Sequence, residues 1–175
     1  IVTHWNFNGE ADGWSTKGFT VFGLPLILFV GHWICVIFTS FDSKNKDQNR
    51  KVSSMVLWIM PVISLLMCSL TYAVALGYEI NIGVWVRILF GLMFLVLGNY
   101  MPKCKQNHTI GIKVKWTLRN EENWNKTHRF AGRLWVVGGV FILATLFIPL
   151  DSFVYIFFPL VLVMAFGPMI YSYNY

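Results

Sequence analysis

The stretch GNYMPKCKQNHTIGIKVKWTLRNEENWNKTHRFAGR, residues 98–133, decides the fold. It is polar and basic and lies between long apolar segments. Eight of the fourteen Lys and Arg fall in it, namely Lys103, Lys105, Lys113, Lys115, Arg119, Lys126, Arg129 and Arg133, opposed only by Glu121 and Glu122. A cationic island flanked by apolar runs reads as a large cytoplasmic loop of a polytopic membrane protein.

The composition agrees with that reading. Of the 175 residues 56% are apolar and 13% charged, against about 25% charged in soluble domains, and the mean hydropathy is +0.57. The expected fold is therefore an all-α polytopic bundle with no separate soluble domain. The pI near 9.4 does not point to nucleic acid, because the cations are confined to two loops beside apolar segments. Cys35, Cys68 and Cys104 give neither a disulfide framework nor a metal spacing, and no cofactor is expected. The chain begins with Ile1 and enters a polar segment at once, so an upstream piece is expected.

Five spans follow from hydropathy and length, about 20 residues being needed to cross roughly 30 Å of hydrocarbon. They are 19–40, 55–77, 82–101, 134–150 and 153–171. Residues 1–18 hold turn formers and the interfacial aromatics Trp5, Phe7 and Trp14, and read as a looped or hairpin-like segment lying on the bilayer. His4, Glu10 and Asp12 there are weighed as a metal site and set aside for want of further ligands. If the loops 41–54 and 102–133 are cytoplasmic, twelve of the fourteen cations lie inside. Residues 1–18, 78–81 and 151–152 are then external and the C-terminus is cytoplasmic.

Two ionisable residues fall within spans. His32 is either a functional group or a neutral imidazole bonded to a neighbouring helix, the latter being favoured. Arg87 is expected to snorkel outward or to pair with Glu79 or a loop carboxylate. Gly167-Pro168 is expected to kink the last span.

Within the basic loop, residues 109–118 alternate apolar and polar side chains, which predicts a half-buried strand. From Asn120, a suitable N-cap, a helix is expected to lie at the interface and lead into the fourth span, with Glu121 and Glu122 in its first turn. His128 has the chemistry for proton transfer. However, no nucleophile, metal motif or phosphate loop accompanies it, and no enzyme is expected.

On the segments GNYMPK (98–103), NHTIG with KWTL (107–118) and W-x-K-T-H-R-x-x-G (124–132), the chain resembles the SdpI family of bacterial toxin-immunity membrane proteins. The HWNFNGEADGW segment (4–14) is similar to the small domain of unknown function that precedes the SdpI region. The resemblance implies residues 1–54 as that first domain and 55–175 as an SdpI-like region of four spans. It implies six spans in the full protein, the first lying upstream. It also implies protection against a secreted, membrane-active peptide toxin met on the external face, and recruitment of a cytoplasmic repressor by the basic loop. Carried over by position, the motif residues are Asn99, Pro102, Gly111, Trp116, Thr117, Trp124, Thr127, His128, Arg129 and Gly132; Lys103 and Lys113 join them as candidate partner contacts. His4, Trp5, Gly9, Asp12 and Trp14 are the external candidates. Where many relatives carry Arg-Thr-Pro, this chain has Lys113-Val114-Lys115. A small transporter or flippase using His32 or Arg87 is the alternative, and oligomers are compatible with either.

Overall fold

The computed structural model describes the backbone of residues 1–175 and every side chain except that of Asp151. Two strands, β1 (Val2–Trp5) and β2 (Ala11–Trp14), precede α1 (Leu24–Phe41), α2 (Arg50–Ala75), α3 (Ile82–Tyr100), α4 (Lys115–Arg119), α5 (Glu121–Ala144) and α6 (Leu150–Asn174). All but α4 are long and apolar enough to cross a membrane, α1 with the turn Phe19–Gly23 ahead of it. This is a multi-pass membrane protein whose outer helix surfaces contact lipid. Side chains such as Phe22, Phe38, Trp58, Leu65 and Tyr155 are accordingly exposed.

The expected helix leading into the fourth span and that span form one rod, Glu121–Ala144. Asn120 caps it, its Oδ1 accepting from the N–H groups of Glu122 (2.8 Å) and Asn123 (3.1 Å), which satisfies two of the four amides a helix start leaves open.

The tightest contact in the bundle is the antiparallel α3/α5 pair, and glycine makes it so. Gly91 and Gly98 on α3 face Gly139 and Gly132 on α5, with a spacing of seven on both helices. A Cβ at Gly132 would lie 2.6 Å from Gly98 O, and one at Gly139 2.8 Å from Gly91 O. Small residues let backbones approach in lipid, where dispersion replaces the hydrophobic effect as the driving force.

Arg87 closes the end of this pair, and the favoured snorkelling does not occur. The side chain is 4% exposed and among the described residues has no ion pair with Glu79; a pairing with the loop carboxylate Asp151 falls outside the described side chains. Its Nε donates to Gly83 O (3.1 Å), and its Nη1 donates to Thr145 O (2.6 Å) and Ile148 O (2.9 Å) at the end of α5. Carbonyls that a helix end leaves open are costly in hydrocarbon, and a guanidinium can satisfy several at once. The Phe153 ring lies 5.6 Å from its Cζ.

A second substitution for a missing backbone bond ties α5 to α6. Pro168 lies inside α6 and has no N–H for Met164 O, the carbonyl four residues back. The indole N–H of Trp135 takes that oxygen at 2.8 Å. Helix α6 runs on through Gly167-Pro168 to Asn174.

The N-terminal strands form an antiparallel hairpin, closed by Asn6 Oδ1 accepting from the amides of Asn8 (2.9 Å) and Glu10 (3.0 Å). Gly9, at φ 81°, supplies the left-handed turn residue. The hairpin packs on α6 through Phe7 and Phe158, ring centres 5.8 Å apart. His32 departs from expectation: its Nδ1 is buried with no hydrogen-bond partner among the described residues, and its ring meets Trp33 at 6.0 Å.

Candidate functional site

The segment between α3 and α5 is a compact plug. The strand expected over 109–118 is absent: 109–114 is irregular and Lys115–Arg119 is helix α4. Alternation failed as a guide because side chains, not a partner strand, saturate this backbone.

Asn107, fully buried, organises the first half. Its Oδ1 accepts from the amides of Thr109 (2.8 Å) and Ile110 (2.6 Å), while its Nδ2 donates to the carbonyls of Lys105 (2.8 Å) and Ile110 (3.0 Å). Thr117, also fully buried, organises the second half. Its hydroxyl donates to Ile112 O (2.8 Å) and accepts from the amide of Val114 (3.1 Å).

His128 locks the plug to α5. Its Nδ1–H donates to Trp124 O at 2.8 Å, within the helix, and its Nε2 accepts the amide of Ile112 at 3.0 Å. These two bonds assign the neutral tautomer with the proton on Nδ1. The ring is 1% exposed and stacks on Trp124, centres 4.0 Å apart. Neither nitrogen is free for proton transfer in this arrangement. Trp124, fully buried, donates its indole N–H to Cys104 O at 2.8 Å. Gly111 lies against both rings at φ 105°, where a Cβ would stand 2.4 Å from His128 Nε2 and 3.2 Å from Trp124 Cζ2.

Further contacts fix the plug and its seat on α5. Thr127 Oγ1 donates to Asn123 Oδ1 (3.0 Å), whose Nδ2 donates to Ser172 O (2.8 Å) at the end of α6. The Trp116 indole N–H bonds Ser172 Oγ. Pro102 lies against Gly132, where a Cβ would meet its Cδ at 2.8 Å.

The two basic loops touch. Gln48 donates from Nε2 to Lys105 O (3.1 Å) and accepts the Lys105 amide at Oε1 (2.9 Å). Asp42 Oδ2 accepts from the His108 amide (2.7 Å) and Asn45 Nδ2 donates to Thr109 Oγ1 (2.6 Å). Burial pushes the Asp42 carboxyl up, but hydrogen bonds from the amides of His108 and Lys44 and from the Thr109 hydroxyl outweigh it, leaving the group below its usual range. Burial raises the Cys104 thiol to about 11, against smaller lowering contributions from Asn107 and Gln48, which makes it a poor nucleophile.

The sequence-predicted residues therefore divide. Gly111, Thr117, Trp124, Thr127, His128, Pro102 and Gly132 converge on the plug and its seat. Asn99, Lys103, Lys113, Trp116 and Arg129 lie on its rim and the adjoining helix surface, exposed. His4, Trp5, Gly9, Asp12 and Trp14 belong to the hairpin on the opposite face of the bundle; the exposed His4 Nδ1 and Asp12 Oδ1 are 2.5 Å apart. Among the described residues no three His, Cys, Asp or Glu side chains converge as metal ligands. Sequence reasoning missed Asn107 and Gln48, although Asn before His-Thr is a recognisable side-chain turn former.

Residues 103–172 match the model of the SdpI/YfhL protein family, and residues 1–29 match the Domain of unknown function (DUF1648). The chain carries an SdpI-type region. It is 28% identical over 175 residues to Immunity protein SdpI of Bacillus subtilis (strain 168), across 100% of this chain and 83% of that protein. No solved structure matches. The SdpI region spans the plug, α5 and most of α6, and the DUF1648 match spans the hairpin and the start of α1.

Proposed function

We propose that this chain is a non-enzymatic immunity and signalling protein of a bacterial cell membrane, acting against a secreted, membrane-active peptide. Its hairpin face is external and meets the peptide. Its plug face is cytoplasmic and meets an acidic surface on a cytoplasmic protein, a transcriptional repressor in the fuller form of the reading.

The observation that supports this most is the division of labour within the plug. Its polar residues are turned inward and hydrogen-bonded, while Lys103, Lys105, Lys113, Lys115, Arg119, Arg129 and Arg133 are exposed. A rigid scaffold that displays cations at fixed positions loses little entropy on docking and steers an acidic partner. In this reading Gly111, Thr117, Trp124, Thr127, His128, Pro102 and Gly132 build the scaffold, while Asn99, Lys103, Lys113, Trp116 and Arg129 make contacts. The name of the Bacillus subtilis relative supplies the immunity assignment. The positive-inside bias supports the orientation, as does the hydrogen bonding of both basic loops to each other on one face.

The transporter alternative rested on Arg87 and His32. Arg87 is engaged by three carbonyls, which removes one of its two supports.

The test is expression of the full-length gene in a strain sensitive to SdpI-countered peptides, with survival as the readout. Protection that persists when His32 is made neutral fits immunity; unchanged killing with the unaltered protein overturns it. Labelling of single cysteines at positions 113 and 126 tests the orientation, which requires both to be shielded in intact cells.

A further inference from the structure

Helices α2 and α3 are joined by a short turn and tied again at their other ends, where Val52 packs on Cys104 and Trp124. Between these ties they part, leaving a groove of about 760 Å³. From Arg50 to Leu70 it follows α2 for about 30 Å at 1.5 Å per residue. Its walls are aliphatic and aromatic, including Trp58, Trp85 and Leu92, and among the described residues no Asp or Glu lines it. At one end stand Arg50, Lys51 and Tyr100.

Both cations are exposed, and among the described residues neither side chain has an ion pair or hydrogen bond. They sit in the first turn of α2, which holds no acidic residue, so the positive end of the helix dipole adds to their field. A long apolar trough ending in uncompensated positive charge at the start of a membrane span matches a molecule with an anionic head and a hydrocarbon tail. A second copy of the chain fits poorly. An isologous contact across the groove would face Arg50 and Lys51 with their own counterparts and supply no carboxylate from its lining.

We propose that the α2/α3 groove binds an anionic phospholipid, its phosphate between Arg50 and Lys51 and an acyl chain lying along Trp58 and Leu92 toward Trp85. Membrane electrostatics draws anionic lipid to any juxtamembrane cation. The groove converts that attraction into a site by adding an apolar wall of about one tail's length beside the two cations. This inference does not depend on the immunity reading.

Trp58, about 12 Å along α2 from Arg50 and 66% exposed, is a built-in reporter. The full chain is reconstituted in phosphatidylcholine vesicles containing equal mole fractions of mid-chain dibrominated phosphatidylglycerol or dibrominated phosphatidylcholine, and tryptophan quenching is measured. The expected association constant for the anionic lipid is roughly five- to thirty-fold above that for the zwitterionic one, as two surface cations allow. The preference should fall to about one in Arg50→Gln/Lys51→Gln. The selective component should also vanish in Trp58→Phe/Trp85→Phe, which leaves the cations in place. Equal quenching by both lipids overturns the proposal, and so does an unchanged preference in the double Gln variant. Protection of Trp58 from both lipids overturns it in favour of a protein surface covering the groove.

Discussion

The imidazole Nε2 of His128 accepts the backbone amide of Ile112 at 3.0 Å, so a residue on a membrane-spanning helix sets the conformation of a loop sixteen residues earlier. The bond lies in the buried centre of the plug. Replacing His128 by Ala strands the Ile112 amide and opens a void under Trp124, and a loss of about 2–4 kcal/mol is expected. Tryptic cleavage at Lys113 and Lys115 in detergent should rise together with the loss of thermal stability. Gly111→Ala should reproduce the effect, because φ 105° and the 2.4 Å approach to His128 both resist a Cβ. Unchanged cleavage in both variants would show that the loop is held by other means.

The glycine contacts of α3 and α5 predict a position-dependent response to one added methyl group. Gly132→Ala places its Cβ against Gly98 O and should cost about 1–3 kcal/mol as the helices part. Gly31→Ala, on α1 with nothing within 4 Å, should be neutral or stabilising by about 0.5–1 kcal/mol. Unfolding in mixed detergent and dodecyl sulfate measures both, and equal effects would refute the close-packing account.

Arg87→Leu leaves the carbonyls of Thr145 and Ile148 without a donor in an apolar setting and should destabilise by about 2–4 kcal/mol. Arg87→Lys keeps the charge but lacks the planar fork, and should recover only part of the loss. A snorkelling arginine would tolerate Lys fully, so the same unfolding assay separates the two roles.

The link between the two basic loops should weaken in acid. The Asp42 carboxyl in the folded protein titrates below its ordinary value of 3.8, so its contribution is complete above that value and is lost as pH falls through the lower folded one. Protease accessibility of residues 104–114 should therefore increase as pH is lowered from about 5 to 3. Asp42→Asn should make the segment accessible already at pH 5 and flatten the profile. A profile identical to that of the unvaried chain would place the acid-sensitive group elsewhere.

Much of the architecture is set by the sequence alone, because hydrocarbon imposes its demands residue by residue. Twenty apolar residues in a row must cross as helix, which located all five spans, and clustered cations next to them marked the two loops that prove to lie together on one face. Asn120 with Glu121 and Glu122 announced the start of α5, and Asn8-Gly9 announced the hairpin turn. These are local signals whose physics acts within a few residues.

Other features depended on groups distant in sequence. Residues 109–118 carry a strand's alternation, yet Asn107, Thr117 and His128 supply the hydrogen bonds a ladder would have given, and no periodicity encodes that exchange. Arg87 reads as a misplaced surface charge until the end of α5 presents Thr145 O and Ile148 O, 58 and 61 residues onward. Pro168 reads only as a break in the last span, and Trp135 looks unremarkable, until the indole donates the proton that the proline ring removed. In each case a buried backbone group must find a partner, and only the assembled bundle determines which side chain is within reach.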